Sequence, residues 1–153
     1  WQRDLDVNLT GSFRVVQACL PGMRARGYGR IVTSSVAATL GTRGQVAYSA
    51  SKAGLLGMAK TIASENVAHG ITVNSVLPGT IATETVLGMP AAVLERLRDR
   101  ALPSGRMGEP AEVAAVIAFL ASEETGWITA QEIVIDGGAH LANLSLGDPA
   151  KEG

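Results

Sequence analysis

Residues 29–60 read GRIVTSSVAATLGTRGQVAYSASKAGLLGMAK, and this stretch decides the fold. A short apolar run, Ile31-Val32, stops at Thr33, Ser34 and Ser35, which predicts a strand with hydroxyls at its carboxyl end. A loop with Gly41 and Gly44 follows, and then an alanine- and glycine-rich helix over 45–69 that carries Tyr48 and Lys52. Four residues on a helix is about one turn, roughly 6 Å of rise, so the phenol and the ammonium share one face. With an upstream hydroxyl, these groups can move a proton at a carbonyl or an alcohol. In open parallel sheets such chemistry gathers outside the carboxyl ends of the strands.

Toward the amino end, Leu5, Leu9, Phe13, Val16, Cys19, Leu20 and Met23 recur at helical intervals, so a helix over 3–26 with a core-facing stripe is expected. Pro21 should strain it late and Gly27 suits its end. Asn8 and Gly11 are poor helix formers inside it; Asn8 is either a surface polar residue or a group placed where the helix bends toward a site.

Toward the carboxyl end, Gly70 closes the long helix. The run ITVNSVLPG predicts a strand over 71–77 broken by Pro78-Gly79, followed by polar text with Thr80, Thr83, Glu84 and Thr85. An amphipathic helix over 90–101 comes next. The turn GRMGEP at 105–110 then delivers Pro110 to the first position of a helix apolar around most of its circumference, and therefore expected to be mostly buried. A last strand over 132–135 ends in a glycine turn, and a polar tail closes the chain. Strands alternating with helices give an α/β layout with parallel strands and right-handed crossovers. No repeat and no linker divides the chain, so 1–153 reads as a single domain with a tail at 141–153.

Composition agrees. The 153 residues are 46% apolar, only 4% aromatic, and include 18 glycines, a balance suited to close-packed helices on a buried parallel sheet. A formal charge of −1 gives no reason to propose nucleic acid or an anionic membrane as partner. Cys19 stands alone, and His69 and His140 are isolated, so neither a disulfide within the chain nor a metal site is expected. No secretory signal is visible and no apolar run approaches the ~20 residues of a membrane span, which makes cytoplasmic the default expectation. The chain opens at Trp1, in helical text without a lead-in, and is expected to be a fragment lacking its amino-terminal portion.

Taken together, the motifs resemble the short-chain dehydrogenase/reductase family. The text that carries the resemblance is Asn8 within DVNLTG, Ser35 within TSSVA, Tyr48 and Lys52 within YSASKAG, Pro78-Gly79 within NSVLPGTIAT, and the ending ITAQEIVIDGG. It spans residues 1–140 in the family's order and approximate spacing. The implied fold is the C-terminal part of a Rossmann-like doubly wound parallel sheet with helices on both faces, its N-terminal βαβ units missing. The implied activity is hydride transfer between a ketone and a secondary alcohol, with NADP or NAD as cofactor. Tyr48 would be the general acid/base, and Lys52 would lower its pKa, since a free tyrosine titrates near ~10. Lys52 would also meet the nicotinamide ribose. Ser35 would hold and polarise the substrate oxygen, and Asn8 would position a water linking Lys52 to solvent. Ser35 is preferred to Ser34 by its spacing to Tyr48 and by the following Val36-Ala37. The resemblance assigns Pro78, Gly79, Ile81 and Thr83 to the nicotinamide-side wall, and Ser35, Ala37, Gln45 and Tyr48 to the substrate.

The family's glycine-rich phosphate-binding turn has no counterpart in this text, nor has the residue that chooses NAD or NADP. Within the family, GQVAYSASKAG, GRMGEP and ITAQEIVIDGG look most like the 3-oxoacyl-carrier-protein reductase type, with a ketone, alcohol or acyl thioester as substrate. Val86, Leu87, Met89 and Val93 suit a partly apolar substrate and suit core packing equally. The resemblance also implies a homodimer or homotetramer built through helices 3–26 and 45–69. The alternative is a non-catalytic truncated paralogue that serves only assembly; intact Ser35, Tyr48 and Lys52 weigh against it.

Overall fold

The computed structural model describes residues 1–36, 44–101 and 103–144. Of the expected 37–45 loop, only 44 and 45 are among them, so Ala37 and Gly41 lie outside; of the expected tail, only residues up to 144 are described.

The amino-terminal helix is one rod in three parts: α1 (Gln2–Leu5), a π-helical turn Asp6–Thr10, and α2 (Gly11–Arg26). The Gly11 amide donates to the Asp6 carbonyl, five residues back, which is the signature of the widened turn. The expected stripe is only partly correct: Val16 is buried, Leu5, Leu9, Leu20 and Met23 are half-buried, and Phe13 and Cys19 are exposed, with the half-buried Ser12 donating to the Asn8 carbonyl in the turn where Phe13 was expected to pack. Pro21 stands inside α2 without ending it, and Gly27 closes the helix in the left-handed conformation at φ 63°.

β1 (Gly29–Ser34) pairs in parallel with β2 (Ile71–Pro78), and β2 with β3 (Glu132–Ile135), in the order β1-β2-β3. Between β1 and β2 runs α3 (Val46–Asn66), extended by a 3-10 turn Val67–His69. Its buried residues Ser51, Leu55, Ala59, Ile62, Ala63 and Asn66 follow helical spacing and lie on the sheet. Val16, Ala59, Ile62 and Ala63 close over Ile71 and Val73, with Ile31 packed against them. Each fully buried Val or Ile here contributes ~1.5–3 kcal/mol of transfer free energy. Gly54 admits Leu9 so closely that a Cβ would stand 2.8 Å from its Cδ2, which is the close approach the small residues of this helix allow.

The connection from β2 to β3 holds α4 (Glu84–Leu87), α5 (Ala91–Ala101) and α6 (Pro110–Ala121), then a 3-10 turn Glu123–Thr125. α6 packs on β1 and β2. Neighbouring strand residues point to opposite faces, and Ile31 faces α2 and α3. Arg30 therefore faces the other way, and its guanidinium reaches the carbonyls of Ser122 (3.0 Å) and Glu123 (3.3 Å) just beyond α6. Helices thus cover both faces of the sheet, and β2 is buried from Ile71 to Leu77.

Two expectations are corrected. Strand order advances in one direction while α3 and α6 lie on opposite faces, so the two crossovers have opposite hands and cannot both be right-handed. And α6 is not mostly buried: Leu120 is, whereas Ile117 and Phe119 are exposed, because only one side of the helix meets the sheet. No helix among the described residues is long and apolar enough to cross a membrane.

Candidate active site

β1 delivers Ser34 and Ser35 to the carboxyl edge of the sheet, where the Ser35 amide still donates to Val76 O at 2.9 Å. Beneath them, the buried hydroxyls of Thr33 and Ser75 meet at 2.7 Å across the β1–β2 register. The first turns of α3 pass over this edge. Lys52 Nζ donates to the Ser34 carbonyl at 3.0 Å, and Ser35 Oγ donates to the Lys52 carbonyl at 2.8 Å. The ammonium also lies 5.7 Å from the Tyr48 ring centroid. Partial burial penalises its charge and lowers the Lys52 pKa from the ordinary value.

The facing wall comes from the end of β2. The Gly79 amide donates to Ile135 O at 3.0 Å, and a Cβ on Gly79 would stand 2.6 Å from the Asp136 Cβ, so only glycine fits there. Asp136 is itself fixed: it accepts from the Gly138 amide (2.9 Å) and from the His140 amide and Nδ1 (2.8 Å each). Burial raises its pKa, but the His140 and Gly138 hydrogen bonds outweigh that and hold it below the ordinary carboxylate range. Thr83 Oγ1 accepts from the Val86 amide at 3.4 Å as the cap of α4, which leaves its hydroxyl proton free to donate.

Between these walls lies a cavity of about 390 Å³. Ser35, Tyr48, Lys52, Pro78, Gly79, Ile81 and Thr83, all singled out from sequence, line it together. Sequence reasoning missed its third side, the Pro110, Val113, Ala114 and Ile117 face of α6, whose signal was the apolar text after GRMGEP. Asn8 stands elsewhere. Its amide donates to Asp4 O at 3.1 Å, its carbonyl accepts from Ser12 Oγ at 2.8 Å, and it lines a second cavity of about 540 Å³ along β1, which Ser34 and Lys52 also border. Gln45 is exposed at the start of α3 and borders neither cavity. No group of three potential metal ligands occurs among the described residues.

A sequence profile for the family described as enoyl-(acyl carrier protein) reductase matches residues 1–140. The chain belongs to the short-chain dehydrogenase/reductase family. It is 47% identical over 143 residues to an acetoacetyl-CoA reductase of Rhizobium meliloti (strain 1021), covering 93% of this chain and 59% of that protein. Against the 3-oxoacyl-[acyl-carrier-protein] reductase of Vibrio cholerae it is 40% identical, covering 92% and 58%. The crystal structure of 3-oxoacyl-[acyl-carrier protein] reductase from Brucella melitensis superposes with a TM-score of 0.85 at 37% identity, covering 92% of this chain and 53% of that one. The chain thus spans about half the length of the family members it matches, and its three parallel strands and helices form part of their Rossmann-like fold.

Proposed function

We propose that the protein containing this chain reduces a ketone to a secondary alcohol, or runs the reverse reaction, with Tyr48 as general acid/base. The observation that carries this reading is the single cavity onto which Ser35, Tyr48 and Lys52 converge opposite Pro78, Gly79, Ile81 and Thr83. A neutral ketone gains a proton on oxygen when it is reduced, and a phenol beside an ammonium is suited to give it. Lys52 favours the phenolate that remains, and Ser35 donates to the substrate oxygen once its hydroxyl turns from the Lys52 carbonyl.

The wall suits a nicotinamide ring: Gly79 lets the backbone come close, and the Thr83 hydroxyl proton is free for a carboxamide oxygen. When bound, NADPH or NADH would supply the hydride for reduction, and NADP or NAD would accept it in the reverse direction. The acyl-thioester substrates in the names of the relatives make a 3-oxoacyl thioester our preferred substrate, and the apolar α6 face at Val113 and Ile117 gives a chain somewhere to lie. Asn8, which shares the second cavity with Lys52, is assigned to the proton path between Lys52 and solvent. We assign Ala37 and Gln45 to the substrate side, Gln45 from outside the described cavity lining, and the helices over 3–26 and 45–69 to a homodimer or homotetramer contact in the cytoplasm.

The test is loss of reduced-nicotinamide absorbance when the whole protein is given NADPH or NADH with an acetoacetyl thioester, and separately with cyclic ketones. Turnover with the thioester and not the ring ketones supports the full reading. Turnover with neither, by a folded protein that binds the cofactor, overturns it.

A further inference from the structure

The segment between β2 and β3 leaves the cavity wall at Ile81 and comes back at Gly108, where the two limbs form a neck. Ala82 N–H donates to Gly108 O at 2.8 Å and Gly108 N–H to Thr80 O at 3.0 Å. A Cβ on Gly108 would stand 2.8 Å from Ile81 Cδ1, so the Ile81 side chain lies against the Gly108 main chain. Ile81 and Thr83 line the cavity from the outgoing limb, Pro110 and Val113 from beyond the returning one. The spacing of the neck is therefore the spacing of the cavity at that point.

A guanidinium braces the returning limb. Arg106 presents its fork to Glu112, Nη1 to Oε2 at 2.8 Å and Nη2 to Oε1 at 2.7 Å, and Nη1 also donates to Met107 O at 3.0 Å. Glu112 Oε2 in turn accepts from the Glu109 amide at 2.7 Å, within the capping box of α6. Met107, between the two, is buried. The guanidinium thus ties the limb that pairs with Ile81 to the first turn of the helix that forms the cavity's third side.

We propose that Arg106 is a positioning residue, whose bidentate hold on Glu112 sets the gap between the Ile81–Thr83 wall and the Pro110–Val113 face. This rests on the oxidoreductase reading of the cavity. The pair is solvent-exposed, and such pairs add little to global stability. The Arg106 fork and the Glu109 amide hold the Glu112 carboxyl at about 2, so the pair stays charged at working pH and the device is not a pH switch.

The experiment compares wild-type, Arg106→Gln, Arg106→Lys and Glu112→Gln forms of the whole protein. Arg106→Gln and Glu112→Gln should raise KM for cofactor or ketone by about 3- to 10-fold with kcat nearly unchanged, the scale of one exposed bidentate pair. Arg106→Lys should recover part of that loss, since it keeps the charge without the fork. Amide exchange at Ala82 and Gly108 should quicken in both neutral variants. A lowered melting temperature with KM and these two amides unchanged overturns the proposal, as does no change at all. Should wild type turn over no ketone, the oxidoreductase reading fails and the two amides alone decide the positioning role. If Arg106→Gln does not fold, Glu112→Gln carries the same test.

Discussion

Ser35 Oγ donates to the main-chain carbonyl of Lys52 across 2.8 Å. The hydroxyl singled out as a substrate donor is thereby fastened to the turn of α3 that carries the cation. The Lys52 ammonium reaches back to the Ser34 carbonyl, so strand end and helix turn are tied in both directions. The spacing of the reactive groups is set by the fold before any substrate arrives, which is the preorganisation that proton transfer needs.

The two adjacent serines should separate cleanly. Ser34 bonds Lys52 through its main-chain carbonyl, which alanine keeps, whereas the role proposed for Ser35 needs its hydroxyl. Ser35→Ala should lower kcat by ~10²-fold or more, the scale of one lost donor to a developing oxyanion. Ser34→Ala should stay within about 3-fold, and Tyr48→Phe should cost ~10²–10⁴-fold as a lost general acid. Steady-state kinetics of the three variants decide it; an inactive Ser34→Ala beside an active Ser35→Ala would reverse the assignment.

Lys52 should trade stability for function. Its pKa is lowered by burial, so between the folded value and the unfolded value near ~10.4 the unfolded chain holds more protons, and stability rises with pH across that window. Below the window the folded state carries the half-buried ammonium and its full penalty. Lys52→Met removes the penalty. It should melt no lower than wild type at neutral pH while losing catalysis, and its melting temperature should lack the wild-type rise toward alkaline pH. Calorimetry across pH reads this directly; a variant much less stable than wild type would show that the Ser34 contact outweighs desolvation.

How far the text alone reached depends on which interactions were local. Strand ends and helix starts were legible because glycine, proline and apolar period act over a few residues: 71–77, 90–101 and 132–135 fall within a residue or two of β2, α5 and β3. Tyr48 and Lys52 were legible for the same reason, one turn of one helix. The exposure of Phe13 was not, because apolar period marks a stripe without telling which side of it meets the sheet. Nor was the α6 side of the cavity. Apolar text tells that a helix must be covered but not by what, and Arg106 and Asp136, whose partners lie only two to six residues away, sit in turns where no period marks which side chains meet.

Gly79 should be the least replaceable residue of the wall. An alanine Cβ would meet Asp136 Cβ at 2.6 Å and its Cα at 2.9 Å, and Asp136 cannot retreat because three hydrogen bonds hold its carboxylate. The wall must move instead. Gly79→Ala should lose ~10²-fold in kcat/KM, as an ångström of misplacement does, and ~1–3 kcal/mol of stability from overpacking. Asp136→Gly combined with Gly79→Ala should restore cofactor affinity in part, since it removes both the Cβ that the new methyl would meet and the carboxylate that holds that turn in place. Equal affinities in wild type and Gly79→Ala would mean that the turn is not a contact surface.

The chain as 153 residues should not stay monomeric. The outer edge of β1 has no partner among the described residues, and beside it lies the cavity of about 540 Å³ lined by Val7, Val15, Val16, Met23, Ile31 and Val32. On other faces Phe119 and Val134 are exposed, and Trp127 is 100% accessible. An unpaired parallel edge next to an apolar trough is a template for any extended segment, and apolar patches of this kind are otherwise found at interfaces. Light scattering should find species larger than one chain, and a hydrophobic dye should bind at the trough. A lysine placed at Val15, which is exposed and lines that trough, should suppress association more than a lysine at the surface residue Val67, which lines neither cavity. A monomer that melts cooperatively and excludes the dye would mean that the β1 edge is stable without a cover.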